Sequence, residues 1–166
     1  MRQLWAPWRL SYVAGPREPG CVFCQVPQAG DDRAALIVHR GELVYVLLNR
    51  YPYNSGHLMV VPFRHVARLD QLSADEAEAL IRLTGQAIAG LERAMAAEGF
   101  NVGLNLGRAA GAGIEDHLHV HVVPRWAGDT NFMPVLGDTK VLPQHLDETY
   151  SRVAEALAAI TRSERR

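Results

Sequence analysis

The stretch His117-Leu118-His119-Val120-His121-Val122-Val123, followed by Pro124, alternates histidine with an aliphatic residue. That period belongs to a β-strand with two chemically different faces. In an extended chain His117, His119 and His121 project to one side, successive ones about 6.6–6.8 Å apart. Leu118, Val120 and Val122 then point the other way, into a core. The chain has seven histidines, and a purely structural strand has no use for three of them at this spacing. A row of imidazoles supplies nucleophiles, proton carriers or metal ligands near neutral pH. The plainer reading is three solvated histidines on an edge strand.

Length and charge bound what surrounds this strand. A chain of 166 residues suits one domain, residues 1–166, with a core that needs no staples. The formal net charge of −1 gives no overall basic field for nucleic acid. No apolar run approaches the roughly 20 residues that span a bilayer. The start, Met1-Arg2-Gln3-Leu4-Trp5, lacks a signal-peptide apolar region, so the cytoplasm is the expected compartment. Cys21 and Cys24 are the only cysteines. As Cys-Val-Phe-Cys they form half of a zinc site, a redox pair or a coincidence; a disulfide framework would use more.

In chain order, a Trp- and Pro-bearing arm (1–20) leads into a polar loop at 25–34. Trp5 and Trp8 read as anchors against the body or a partner, or as stacking partners for a base. Ala35–His39 and Leu43–Leu48, with a turn at Gly41, read as a β-hairpin. Turn-rich Asn49–Gly56 leads to a third strand, His57–Val61, stopped by Pro62. Ser73 with Glu76 forms a capping box. The following stripe, Ala77, Leu80, Ile81, Thr84, Ala87, Ile88, Leu91 and Met95, predicts a long helix ended by Gly99. Phe100–Leu106 reads as a fourth strand. Gly107–Gly113 is a loop whose backbone N–H groups can approach an anion. After Pro124, Arg125–Pro134 is irregular. A last helix from about Asp147 carries Tyr150, Val153, Leu157 and Ile160, and a basic tail follows to residue 166. The expected class is α+β, an antiparallel sheet of about five strands carrying the long helix on one side, plus a C-terminal helix.

The histidine strand resembles the signature of the histidine triad family of nucleotide hydrolases and transferases. Asn49-Arg50-Tyr51-Pro52-Tyr53-Asn54-Ser55-Gly56-His57 resembles the family's upstream strand and loop, and Asn105-Leu106-Gly107 with Gly111 its approach to the triad. Leu4-Trp5-Ala6-Pro7-Trp8-Arg9 and Pro124-Arg125-Trp126 through Asn131-Phe132 resemble the bacterial branch of diadenosine tetraphosphate phosphorylases. The resemblance covers nearly the whole chain and implies a HIT-like fold and a homodimer with a continuous sheet.

The resemblance also implies roles. His119 attacks the α-phosphorus of an adenosine polyphosphate and forms an adenylyl-histidine, which divides one hard displacement into two easier ones. A backbone carbonyl near His117 holds its Nδ1–H. His121 donates to the phosphate oxygens, His57 orients the nucleophile, and Asn49 holds ribose hydroxyls. Asn105, Gly111 and Gly113 bind phosphate. Hydrolase branches often carry Gln or Ser just before the triad, where this chain has Ala112-Gly113-Ile114-Glu115-Asp116. The missing polar side chain leaves room for a second phosphate, so inorganic phosphate is the expected acceptor and ADP plus ATP the expected products. A related transferase family places a structural zinc on residues matching Cys21, Cys24, His65 and His117. No catalytic metal is required for the nucleophile, and a divalent cation on the polyphosphate is compatible with it. His39 and His145 read as surface or packing residues.

The rivals are an asymmetric hydrolase giving AMP and ATP, a nucleoside phosphoramidase, a zinc hydrolase using histidines at i and i+2, and a non-catalytic nucleotide-binding protein. Retention of His57 and all three strand histidines argues against the last.

Overall fold

A computed structural model describes residues 20–129 and 145–163. The Trp5/Trp8 arm, the Asn131-Phe132 marker and the end of the basic tail lie outside the described residues. The elements are α1 (Val22–Gln25), β1 (Ile37–Arg40), β2 (Val44–Leu48), β3 (Leu58–Pro62), α2 (Ala74–Met95), β4 (Gly99–Gly103), β5 (Val120–Arg125) and α3 (Leu146–Ser163). The five strands form one sheet in the order β1-β2-β3-β5-β4, and every neighbouring pair is antiparallel.

Alternation along the strands divides the interior into two parts. Val44, Val46, Leu48, Leu58, Val60, Leu118, Val120 and Val122 meet Leu80, Leu83, Ala87 and Leu91 of α2 and Val153, Ala156 and Leu157 of α3. Tyr45, Leu47, Met59 and Val61 form a smaller cluster with Phe23 and Ile37. Both long helices therefore contribute to the first cluster. The other side is closed by the single turn of α1 and by loops, which is what leaves room there for a pocket.

The capping box at the start of α2 forms as expected: Ser73 Oγ accepts from the Glu76 N–H at 3.2 Å, and Glu76 Oε2 accepts from the Ser73 N–H at 2.8 Å. Glu76 is also held by Arg64, Nε to Oε1 at 2.7 Å and Nη2 to Oε2 at 2.5 Å. This ties the end of β3 to the helix start. Gly90 permits close contact with α3, because a Cβ there would lie 3.0 Å from Leu157 Cγ. Gly85 has open space where its Cβ would be, and nothing in the structure explains it.

Several boundaries and faces differ from the sequence reading. Helix α2 ends at Met95, with Ala96 in the left-handed conformation (φ 50°), and Gly99 opens β4 instead. Ile81 is 71% exposed, whereas Leu83, absent from the expected stripe, is 4% exposed. The third strand begins at Leu58 and includes Pro62, and the fourth stops at Gly103. A short helix and a 3-10 turn (Val26–Gln28) occupy part of the expected loop. The histidine strand begins only at Val120 and runs through Pro124 to Arg125. Continuing the register Val60↔Val120 would set Leu118 opposite Pro62, which has no N–H to give. The Leu118 N–H donates to the Val66 carbonyl at 2.6 Å instead. Pro124 is tolerated because pairing with β3 has already ended at Leu58↔Val122, and its carbonyl accepts from Asn54 Nδ2 at 3.2 Å. Among the described residues no helix is long and apolar enough to cross a membrane.

Candidate active site and a thiol–imidazole cluster

The alternation read from the sequence holds through the extended lead of β5. Leu118, Val120 and Val122 are buried against the helices, while His117 and His119 are buried and His121 half-buried on the opposite side. His119 Nδ1 lies 2.8 Å from the His117 carbonyl. A carbonyl only accepts, so Nδ1 carries the proton and Nε2 keeps its lone pair. Burial pushes the His119 pKa down, partly opposed by that hydrogen bond. The ring is therefore biased toward the neutral form a nucleophile needs.

The same accounting fixes the next two rings. The Tyr53 N–H donates to His57 Nδ1 at 3.1 Å, and Asn49 Nδ2 lies 3.3 Å from the same nitrogen. His57 must then carry its proton on Nε2, which is 2.9 Å from His121 Nδ1. His121 accepts there and carries its own proton on Nε2. Asn49 is itself oriented, because its Oδ1 accepts from the Tyr51 N–H at 2.9 Å. The Tyr53 ring stacks on His57 with centroids 4.7 Å apart.

Gly56 positions His57. Its φ of +80° suits glycine, and a Cβ would lie 2.5 Å from Met95 Sδ and 3.2 Å from both Leu91 Cδ2 and Pro124 Cγ. The turn before β3 thus requires glycine both for conformation and for space.

His119 and His121 line a pocket together with Asn49, Asn105, Gly111 and Gly113. The four residues expected to hold ribose and phosphate thus line one pocket, while Trp5 and Trp8, offered as base-stacking partners, lie outside the described residues. The remaining wall is largely apolar, with Val22, Phe23, Val26, Leu48, Met59 and Ile114. The sequence reading did not single out these residues. The signal for Phe23 was present, since an apolar pair between two cysteines must face something, but its target was not legible.

His117 faces a second group. Its Nδ1 is 3.2 Å from Cys21 Sγ and 3.5 Å from Cys24 Sγ, and His65 Nδ1 is 3.4 Å from Cys24 Sγ. All four donor atoms lie within 4.8 Å of one another. His117 Nε2 lies 2.9 Å from the Pro62 carbonyl and must carry the proton, leaving the Nδ1 lone pair directed at the sulfurs. Burial pushes the His117 pKa down, with a smaller contribution from His65. Two thiols and two imidazole lone pairs this close suit a tetrahedral metal ion, and a carbonyl fixing the far nitrogen of a ligating histidine is the usual supporting contact. Both cysteines are free thiols. His39 is half-buried and His145 exposed; the His145 carbonyl accepts from the Thr149 N–H at the start of α3.

Comparisons with known proteins identify the family and the fold. The HIT domain model matches residues 32–128, more than half of the chain. The chain is 46% identical over 158 residues to the AP-4-A phosphorylase of Mycobacterium tuberculosis, covering 90% of this chain and 80% of that protein. A zinc-bound histidine triad family protein from Mycobacterium smegmatis superposes with a TM-score of 0.70 at 23% identity, covering 87% of this chain and 97% of the other. A hypothetical histidine triad nucleotide-binding protein from Sulfolobus tokodaii gives 0.70 at 25% identity, over 86% of this chain and 95% of the other. The alternating histidines, the strand order and the family match converge, and the chain belongs to the histidine triad (HIT) family.

Proposed function

We propose that this enzyme cleaves diadenosine tetraphosphate by phosphorolysis, giving ADP and ATP through an adenylyl-His119 intermediate. The observation that carries the reading is the buried His119 ring on the pocket wall, with its Nδ1–H held by the His117 carbonyl at 2.8 Å. The free Nε2 attacks the α-phosphorus; the N–P bond forms as the bond to the bridging oxygen breaks, and ATP leaves with the electron pair. A phosphate oxygen then attacks the same phosphorus, the N–P bond breaks toward the ring, and ADP departs with His119 restored. His121 Nε2–H donates to the phosphoryl oxygens where negative charge develops, and His57 holds it in that tautomer. Asn105 and the backbone at Gly111 and Gly113 bind phosphate, and the apolar wall takes an adenine.

Asymmetric hydrolysis to AMP and ATP would use the same nucleophile with water as the second acceptor. Phosphate is favoured by the small residues at Ala112 and Gly113 and by the identity with the phosphorylase from Mycobacterium tuberculosis. Cys21, Cys24, His65 and His117 hold a structural zinc in this reading. These four residues would hold the ion between the Cys21–Cys24 turn, His65 and the lead of β5, and such a set of two cysteines and two histidines would supply structure and no chemistry to the displacement.

Rapid acid quenching during turnover, followed by peptide mapping, tests the intermediate. The peptide containing His119 should carry one adenylyl group, absent in His119→Ala. Turnover with the label on another residue would overturn the assignment.

A further inference from the structure

The Cys21–Cys24 turn belongs to two sites at once. Its ends supply the two sulfurs of the thiol–imidazole cluster, and its middle supplies Val22 and Phe23 to the pocket wall. A helix of four residues has no stability of its own, and α1 has no side-chain cap. It is held by the Phe23 ring in the smaller apolar cluster, by the Tyr45 hydroxyl donating to the Phe23 carbonyl at 2.7 Å, and by the thiol–imidazole cluster. Phe23 is 2% exposed. Its ring centroid lies 5.5 Å from that of His117 and 4.9 Å from that of His119, so one side chain touches both a cluster histidine and the nucleophile. His117 repeats the arrangement, with Nδ1 in the cluster and its carbonyl on His119.

We propose that metal binding at Cys21, Cys24, His65 and His117 and nucleotide binding in the adjacent pocket are energetically coupled, with Phe23 as the positioning residue between them. The cluster fixes the turn, the turn fixes Phe23, and Phe23 shapes the wall and backs the His119 ring. With the ion gone, the turn loses that four-way cross-link and samples poses in which Phe23 leaves the wall. Nucleotide binding must then select the ordered pose, so affinity falls. By linkage, nucleotide must raise the affinity for metal by the same factor. This inference rests on the nucleotide reading of the pocket.

The reciprocal measurement needs no destabilising variant. AMP binding to the zinc-loaded protein is measured first by calorimetry, and zinc affinity is then measured by chelator competition with and without saturating AMP. AMP should bind and should tighten zinc binding about tenfold, within the usual range of coupling between sites. In Phe23→Leu both ligands should still bind, with the factor falling toward one. Absence of AMP binding would overturn the nucleotide reading and this inference with it. AMP binding that leaves zinc affinity unchanged in the native protein would overturn the coupling alone. A Phe23→Leu protein that keeps the full factor would remove Phe23 from its role.

Discussion

The two faces of the segment His117–Val122 share one backbone and have opposite tasks. Leu118, Val120 and Val122 belong to the large cluster covered by α2 and α3. His117, His119 and His121 face a side closed by one helical turn and loops, where polar atoms bond to carbonyls, to each other and to thiols. The contrast shows how an antiparallel sheet builds a site. One face receives enough apolar cover to hold the strands, which frees the other to carry groups that would be costly in a core without partners. Stability and chemistry alternate residue by residue along the chain, so substitutions at adjacent positions should separate them.

The largest separation should come from His119→Ala. With His119 as the proposed nucleophile, this variant should turn over diadenosine tetraphosphate at least about a thousandfold more slowly. Thermal unfolding should show a smaller loss of stability than Leu118→Ala one residue away. Leu118→Ala should cost about 3 kcal/mol by denaturant titration, through a cavity under the helices, with kcat changed far less than in His119→Ala. If the two variants gave the same profile, the division of faces would fail.

Gly56→Ala should affect both faces, because Gly56 packs against α2 and precedes His57. Its Cβ would meet Met95 and Leu91 of α2, and its positive φ sets up His57 next in sequence. A stability loss of about 1–3 kcal/mol is expected from strain and overpacking, together with a fall in kcat as His57 shifts from His121. A variant as active and stable as the parent would show that the turn does not position His57.

A smaller effect isolates the helix-covered side. The Arg64 guanidinium, with the Ser73 N–H, holds the Glu76 carboxyl at about 2, below its usual 4.5. The charged form is favoured by folding, so this stability is fully present above pH 4.5. It is lost as pH falls through the window from about 4.5 to about 2. Arg64 is half-exposed, so screening limits the pair, and Glu76→Gln should cost about 1 kcal/mol at neutral pH. Its denaturation midpoint should vary less than the parent's across that acid window. Equal acid sensitivity in both proteins would contradict the assignment to Glu76.

Much of this was legible in the sequence because period and chemistry coincided. The β1–β2 hairpin, the Ser73/Glu76 cap and the two faces of the histidine segment each follow from a local rule. Ile81 and Leu83 show where such rules stop. Both are apolar beside Leu80 and Thr84, so the pattern tolerates two phases of the helix, and docking against the sheet and α3 selects Leu83. The left-handed Ala96 was hidden because glycine is the usual signal for that conformation and Gly99 stood three residues on. The beginning of β5 does not follow from its own pattern, because pairing depends on the partner, and the partner there is Pro62. Within the site, the histidines announced themselves, whereas Phe23 and the Tyr53 N–H did not. An apolar residue in a four-residue turn and a backbone donor carry no periodicity, and only the fold shows what they touch.

Transfer of an adenylyl group from His119 to phosphate, as proposed, is read out by product analysis. The protein is incubated with diadenosine tetraphosphate, with and without inorganic phosphate, beside His119→Ala, and the nucleotides are separated by chromatography. ADP plus ATP should form in equal amounts only when phosphate is present, and neither should form with His119→Ala. AMP plus ATP at a rate indifferent to phosphate would contradict it.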